Sequence, residues 1–127
     1  MHWAYDEHKA RMREAVELTA AEEKGGRINN EYAATLYLLT GMEQTWPRLK
    51  KYIGKRYIDC ASMLENERLS SGEELIVAFA GNLFNGRTYR DFTPIDLIDR
   101  LDNASIVLVI HGIIARKRTF TTEELEV

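Results

Sequence analysis

Apolar residues recur at helical spacing through most of this chain, and the clearest segment runs from Ser70 to Gly86. Leu75, Ile76, Phe79, Ala80 and Leu83 form one apolar face, and Val77, Gly81 and Phe84 form a second. A serine with a glutamate three positions later, whether Ser70/Glu73 or Ser71/Glu74, satisfies two orphan backbone N–H groups reciprocally and starts the helix. Asn85-Gly86 supplies the left-handed residue that ends it. Gly81 lets another backbone approach, at some cost in helix propensity.

The same pattern predicts the other elements. Tyr5 to Lys24 lacks proline and glycine and places Tyr5, His8, Met12, Ala15, Val16 and Thr19 on one stripe, an amphipathic helix ended by Gly25-Gly26. Asn29 or Asn30 caps a second helix over Glu31 to Met42, whose apolar arc is wide enough to be buried on more than one side. Pro47 suits the first turn of a third, with Trp46, Leu49 and Ile53 inward and Gly54 closing it. A short helix capped by Asp59 lies between Lys55 and Leu69. Thr93-Pro94, with Asp96 at the third helical position, starts a helix that reaches Leu101.

Asn103 caps the last long element, Ala104 to Lys117. Ile106, Val107, Ile110 and Ile114 fit one of its faces and Leu108, Val109 and Ile113 the other, which predicts a central helix. Ile106 to Ile110 also reads as a buried strand by period alone, but the length of the segment and the lack of a second comparable β-branched run favour helix. Thr119 to Val127 is polar and acidic, either a frayed tail or a short helix capped by Thr121 or Thr122.

The fold class is therefore all-α: a compact single-domain bundle of about five to six helices with a buried C-terminal helix. Residues 1–127 form one helical domain, with an N-terminal amphipathic helix over 1–26, a core over 28–118 and a polar tail over 119–127. A chain of 127 residues buries roughly two thirds of its unfolded surface, enough for one core. The longest apolar run is interrupted by His111 and Gly112 and falls short of the ~20 residues that span a bilayer, so no membrane partner is expected.

Charge and cysteine usage narrow the function. A net charge of −3 gives no overall attraction to a phosphate polymer. Cys60 is the one cysteine, which rules out an intramolecular disulfide and a thiolate zinc cluster and fits a reducing compartment. Met1 to Glu7 has neither the basic flank nor the apolar run of a secretion signal, and the expected location is the cytoplasm.

Candidate chemistry is sparse. Metal ligation would draw on His2, His8, His111 and the carboxylates Asp96, Asp99 and Asp102, but their spacing matches no zinc signature. The three aspartates share one side of a helix, where Arg100 makes a solvated charged face the simpler account. His111, inside an apolar run, reads as a core histidine bonded to a backbone carbonyl rather than as an acid/base. Cys60 with His111 is the only nucleophile–base pair to consider, and nothing in the spacing recommends it. No glycine loop carries the lysine and flanking strand of a phosphate cradle. No catalytic residue, metal or cofactor is expected, and the protein is read as a non-enzyme.

Asn30-Glu31-Tyr32-Ala33-Ala34-Thr35-Leu36-Tyr37-Leu38-Leu39-Thr40-Gly41 and Ala80-Gly81-Asn82-Leu83-Phe84-Asn85-Gly86 resemble segments of an uncharacterised family of small helical proteins encoded by phages and mobile elements of Gram-positive bacteria. The resemblance covers residues 28 to 118 and leaves out the N-terminal helix. That group has no established activity or catalytic residues, and the resemblance implies a cytoplasmic accessory protein that binds or regulates.

Two functions follow as expectations. The first is a protein–protein interaction or regulatory module, anchored by Trp3, Tyr5, Trp46, Tyr52, Tyr89 and Phe92, with an unidentified protein partner or a second copy. Self-association through the first helix is one form of it. The alternative is a nucleic-acid-binding regulator, using Arg48, Lys50, Lys51, Lys55 and Arg56 with their interleaved aromatics, together with Arg116, Lys117 and Arg118. Against it, basic residues near helix C-termini also serve the helix dipole.

Overall fold

The computed structural model describes residues 1–126; Val127, the end of the expected polar tail, lies outside the described residues. The described residues form a helical protein with seven helices, more than the spacing predicts. These are α1 (His8–Leu18), α2 (Asn30–Thr40), α3 (Trp46–Leu49), α4 (Cys60–Asn66), α5 (Ser71–Asn85), α6 (Pro94–Arg100) and α7 (Asn103–Lys117). Two small antiparallel ribbons that periodicity did not predict accompany them. One pairs β1 (Arg27–Ile28) with β4 (Phe120–Thr121), and the other pairs β2 (Ile53–Gly54) with β3 (Tyr57–Ile58).

Local signals set most helix ends. Ser70 Oγ accepts from the Glu73 N–H while the Ser70 N–H donates to Glu73, so the first of the two capping alternatives is the one used, and Gly86 ends α5 at φ 78°. Asn29 caps α2 by accepting from the N–H groups of Glu31 and Tyr32. Asp59 caps α4 through the Ser62 N–H, and Thr93 with Asp96 starts α6. The cap of α7 is Asp102, which accepts from the Ser105 N–H, and not Asn103. α1 is shorter than expected: it ends at Leu18, and Gly25 and Gly26 turn the chain at positive φ several residues later.

The central helix is α2, where every residue from Ala33 to Thr40 is buried. α1, α5 and α7 pack around it. Two corrections follow. The C-terminal helix is not buried on both faces: Leu108, Val109, Gly112 and Ala115 face the core, while Val107, Ile110, Ile113 and Ile114 are exposed. Residues 119–126 are not frayed: Phe120 and Leu125 are buried, and Thr121 with Glu124 forms a capping box over the turn Thr122–Leu125, as the short-helix alternative has it. The expected approach of a backbone at Gly81 is instead that of a side chain, because the Tyr89 ring lies where a Cβ would be, 2.7 Å away at its nearest.

Close packing of α7 on α2 requires Gly112. A Cβ there would fall 2.7 Å from Leu38 Cδ2, and Leu38 is fully buried with no room to retreat. Gly112→Ala is therefore expected to destabilise by about 1–3 kcal/mol, although alanine is the better helix former. Urea unfolding of the two proteins checks the sign.

Candidate functional site

The face of α7 that points away from α2 is the site the structure singles out. Val107, Ile110 and Ile114 recur at helical spacing, Ile113 stands beside them, and their exposures are 38, 49, 47 and 40% for Val107, Ile110, Ile113 and Ile114. Ser105, Leu108, Gly112 and Ala115 line the opposite stripe, and the small ones among them let α7 sit close to α2. The same close approach turns the isoleucines to solvent. No charged residue interrupts α7 between its cap Asp102 and Arg116. Just before it, α6 exposes Ile95 and Ile98 at 57 and 63%.

The aromatic residues expected to anchor a partner are engaged inside the chain. Trp46 is 1% exposed, a core residue that presents no ring to a partner. Trp3 packs edge-on against His8 at 5.1 Å, and the Tyr5 hydroxyl donates to the Thr40 carbonyl at 2.5 Å. The Tyr52 hydroxyl donates to Glu67 at 2.6 Å. Tyr89 fills the space over Gly81 and accepts from the Asn85 amide, and Phe92 packs on Phe79 at 5.7 Å. The six do not form one cluster: Trp3 and Tyr5 share the segment before α1 and pack on His8, while Tyr89 and Phe92 share the loop between α5 and α6.

Most of the expected cationic surface is paired. Arg48 lies 3.7 Å from Glu67 and 3.9 Å from Glu73, Lys50 2.7 Å from Glu14, and Lys51 3.1 Å from Glu67. Arg116 reaches Glu31 at 3.5 Å and the Leu83 carbonyl at 2.9 Å, and Arg118 pairs with Glu124. Lys55 and Arg56, in the β2–β3 turn, and Lys117 are exposed and make no ion pair among the described residues.

Of the polar groups considered for catalysis or metal binding, the structure brings together His2 and His111 but does not gather the rest around them. Asp96 and Asp102 serve as caps and Asp99 is exposed, and no group of three candidate ligands converges among the described residues. The hydrogen bond from the Ser105 N–H holds the Asp102 carboxyl below its usual range. Burial pushes the Cys60 thiol up to about 12, which keeps it protonated and unreactive. His111 is not the core histidine expected from its apolar neighbours: it is half-buried and stacked on His2 at 4.7 Å, and its pKa is lowered by burial, then by His2 and the N-terminal amine.

The buried histidine is His8, at 0% exposure. Its Nδ1 accepts from the Ala4 N–H at 3.0 Å, so Nε2 carries the proton and donates to the Tyr37 carbonyl at 3.0 Å. Both nitrogens are occupied, and burial lowers its pKa to about 4, so it serves as a structural clamp and not as an acid/base at neutral pH. It joins Tyr37, whose hydroxyl donates to the His2 carbonyl at 2.8 Å, in holding residues 1–7 on α2.

Comparison with family models, curated proteins and solved structures finds no match to this chain. Among the described residues no helix is long and apolar enough to cross a membrane. The apolar run places the isoleucines of α7 in the core, whereas the structure exposes Ile110, Ile113 and Ile114. The available signal was the spacing of Ser105, Gly112 and Ala115, since small residues mark the side of a helix that can approach another closely, and a helix that rests mainly on α2 leaves its far side open.

Proposed function

We propose that this protein is a non-enzymatic interaction module that docks an apolar helix of a protein partner on the outer face of α7. One observation carries the reading: Val107, Ile110, Ile113 and Ile114 stand together on one helix and are 38–49% exposed. Single exposed apolar residues are ordinary, whereas a group of them on one face marks a contact surface. Covering side chains already half-buried contributes about 1 kcal/mol each, a useful but modest affinity, in keeping with regulated association. A regulatory accessory role in a phage or mobile element is the biological setting that the resemblance at Asn30–Gly41 and Ala80–Gly86 supports.

The test is photo-crosslinking in cells. A photoreactive phenylalanine placed at Ile110 is expected to give a discrete protein adduct, and the same residue at exposed Arg13 on α1 is expected to give none. Absence of an adduct at 110 removes the reading.

A second reading, nucleic-acid binding, has one observation in its favour. The β2–β3 turn presents Lys55 and Arg56, which make no ion pair among the described residues, beside Tyr57, which is 56% exposed. Lys55→Glu with Arg56→Glu is then expected to abolish oligonucleotide binding seen at low salt, and binding that is absent at low salt or insensitive to added salt dismisses this reading.

A further inference from the structure

We infer that the occupant of the α7 face is a second copy of this chain, paired antiparallel about a two-fold axis near Ile110. The inference rests on the docking reading above and commits it to one partner.

The face is complementary to itself. Ile110 stands at the middle of Asn103–Lys117, with Val107 three residues before it and Ile113 and Ile114 three and four residues after. Reversing one helix against its copy lays Val107 over the second copy's Ile113 and Ile114, and Ile110 over itself, which is the condition for an isologous contact. The apolar stretch of this stripe carries no charge, so closing the pair buries none.

Charges at the two ends of the helix select the orientation. The C-terminal end continues the stripe with Lys117, three residues after Ile114 and four after Ile113, exposed and without an ion pair among the described residues. Its neighbours Arg116 and Arg118 are already held by Glu31 and Glu124. The N-terminal end carries a net negative charge: Asp102 caps the helix, and Asp99 stands exposed near the end of the preceding helix α6, beside exposed Arg100 and at i+4 from exposed Ile95. Antiparallel pairing brings each Lys117 to the acidic end of the other copy, at two symmetric contacts. Parallel pairing would set Lys117 against Lys117 and aspartate against aspartate. End charges of this kind fix the direction of paired helices more than they add affinity.

Light scattering across a concentration series tests this with the full chain. The wild type is expected to approach twice its 14.7 kDa mass. Ile110→Glu is expected to remain monomeric with an unchanged helical circular dichroism spectrum, since the side chain is exposed in the single copy. Lys117→Glu should weaken dimerisation about tenfold, and adding Asp99→Lys in the same chain should restore it, because the swap re-forms both contacts with reversed sign. A wild type that stays monomeric, a dimer that survives Ile110→Glu, or a charge reversal without effect overturns the inference. The photo-adduct at position 110 separates the two failures. A monomer that still forms an adduct with a different protein removes the second copy and keeps the docking reading, whereas a monomer with no adduct removes both.

Discussion

Trp46→Ala is expected to cost about 3–5 kcal/mol, a large share of the stability of a chain this size. The side chain is among the largest fully buried ones, and no neighbour can collapse into a space that big. Trp46→Phe should cost markedly less than the alanine change. Trp46 Nε1 finds no hydrogen-bond partner among the described residues, so phenylalanine loses ring volume but also removes an unsatisfied buried donor. Thermal and urea unfolding of the three proteins measure this directly. An anchor for a partner would behave in the opposite way, changing association and leaving the unfolding midpoint where it was.

Acidification is expected to produce the second large effect, through His8. Unfolded histidine titrates near 6.5 and His8 in the folded protein at about 4, because burial disfavours the cation and Nδ1 is already occupied by the Ala4 N–H. The unfolded chain therefore binds the proton first. The stability is fully present above about pH 6.5, falls as pH drops, and reaches its floor below about pH 4, a total of about 3 kcal/mol. About 2 kcal/mol of that is lost by pH 5, whereas the lowered carboxyls of Glu67, Glu73, Glu124 and Asp102 contribute most of their own loss further down, from their ordinary values of about 4 toward their lowered folded ones. His111, also lowered, adds a loss of the same sign in the same window. Denaturant titrations at pH 7 and pH 5 should show the drop in the wild type and most of it abolished in His8→Gln. A pH slope that His8→Gln leaves intact would assign the effect elsewhere.

What could be read from the sequence divides by the range of the interaction. Signals carried within four residues were legible: the Ser70/Glu73 box, the Asn29 and Asp59 caps, Thr93-Pro94 and the left-handed Gly86 all act where the spacing places them. The ribbons were not: two-residue strands are too short to show a period of two, β1 meets its partner β4 only through tertiary structure, and the Lys55-Arg56 turn of the local β2–β3 hairpin carries none of the Asn-Gly or Asp-Gly signals. The clamp around His8 escaped for a similar reason. Its hydrogen bonds join residues 1–7 to α2 through Tyr5, Tyr37 and Thr40, none of which carries a local signature. The candidate site was the least legible part. A helix apolar on all sides reads as central, and only the position of α2 decides that Leu108 and Val109 go inside while Ile110 and Ile113 stay out.

The β1–β4 ribbon bears on how the molecule is made in the cell. Ile28 pairs with Phe120, and Asn30 donates through its amide to the carbonyls of Arg116 and Arg118, so the start of α2 is completed by the far end of the sequence. During synthesis the first helices can form as they leave the ribosome, but the pocket for Phe120 stays unfilled until that residue has cleared the exit tunnel. The nascent chain must therefore carry an open seam along α2 until residue 120 has emerged, which makes that interval the one in which chaperone capture and proteolysis compete with completion of the fold.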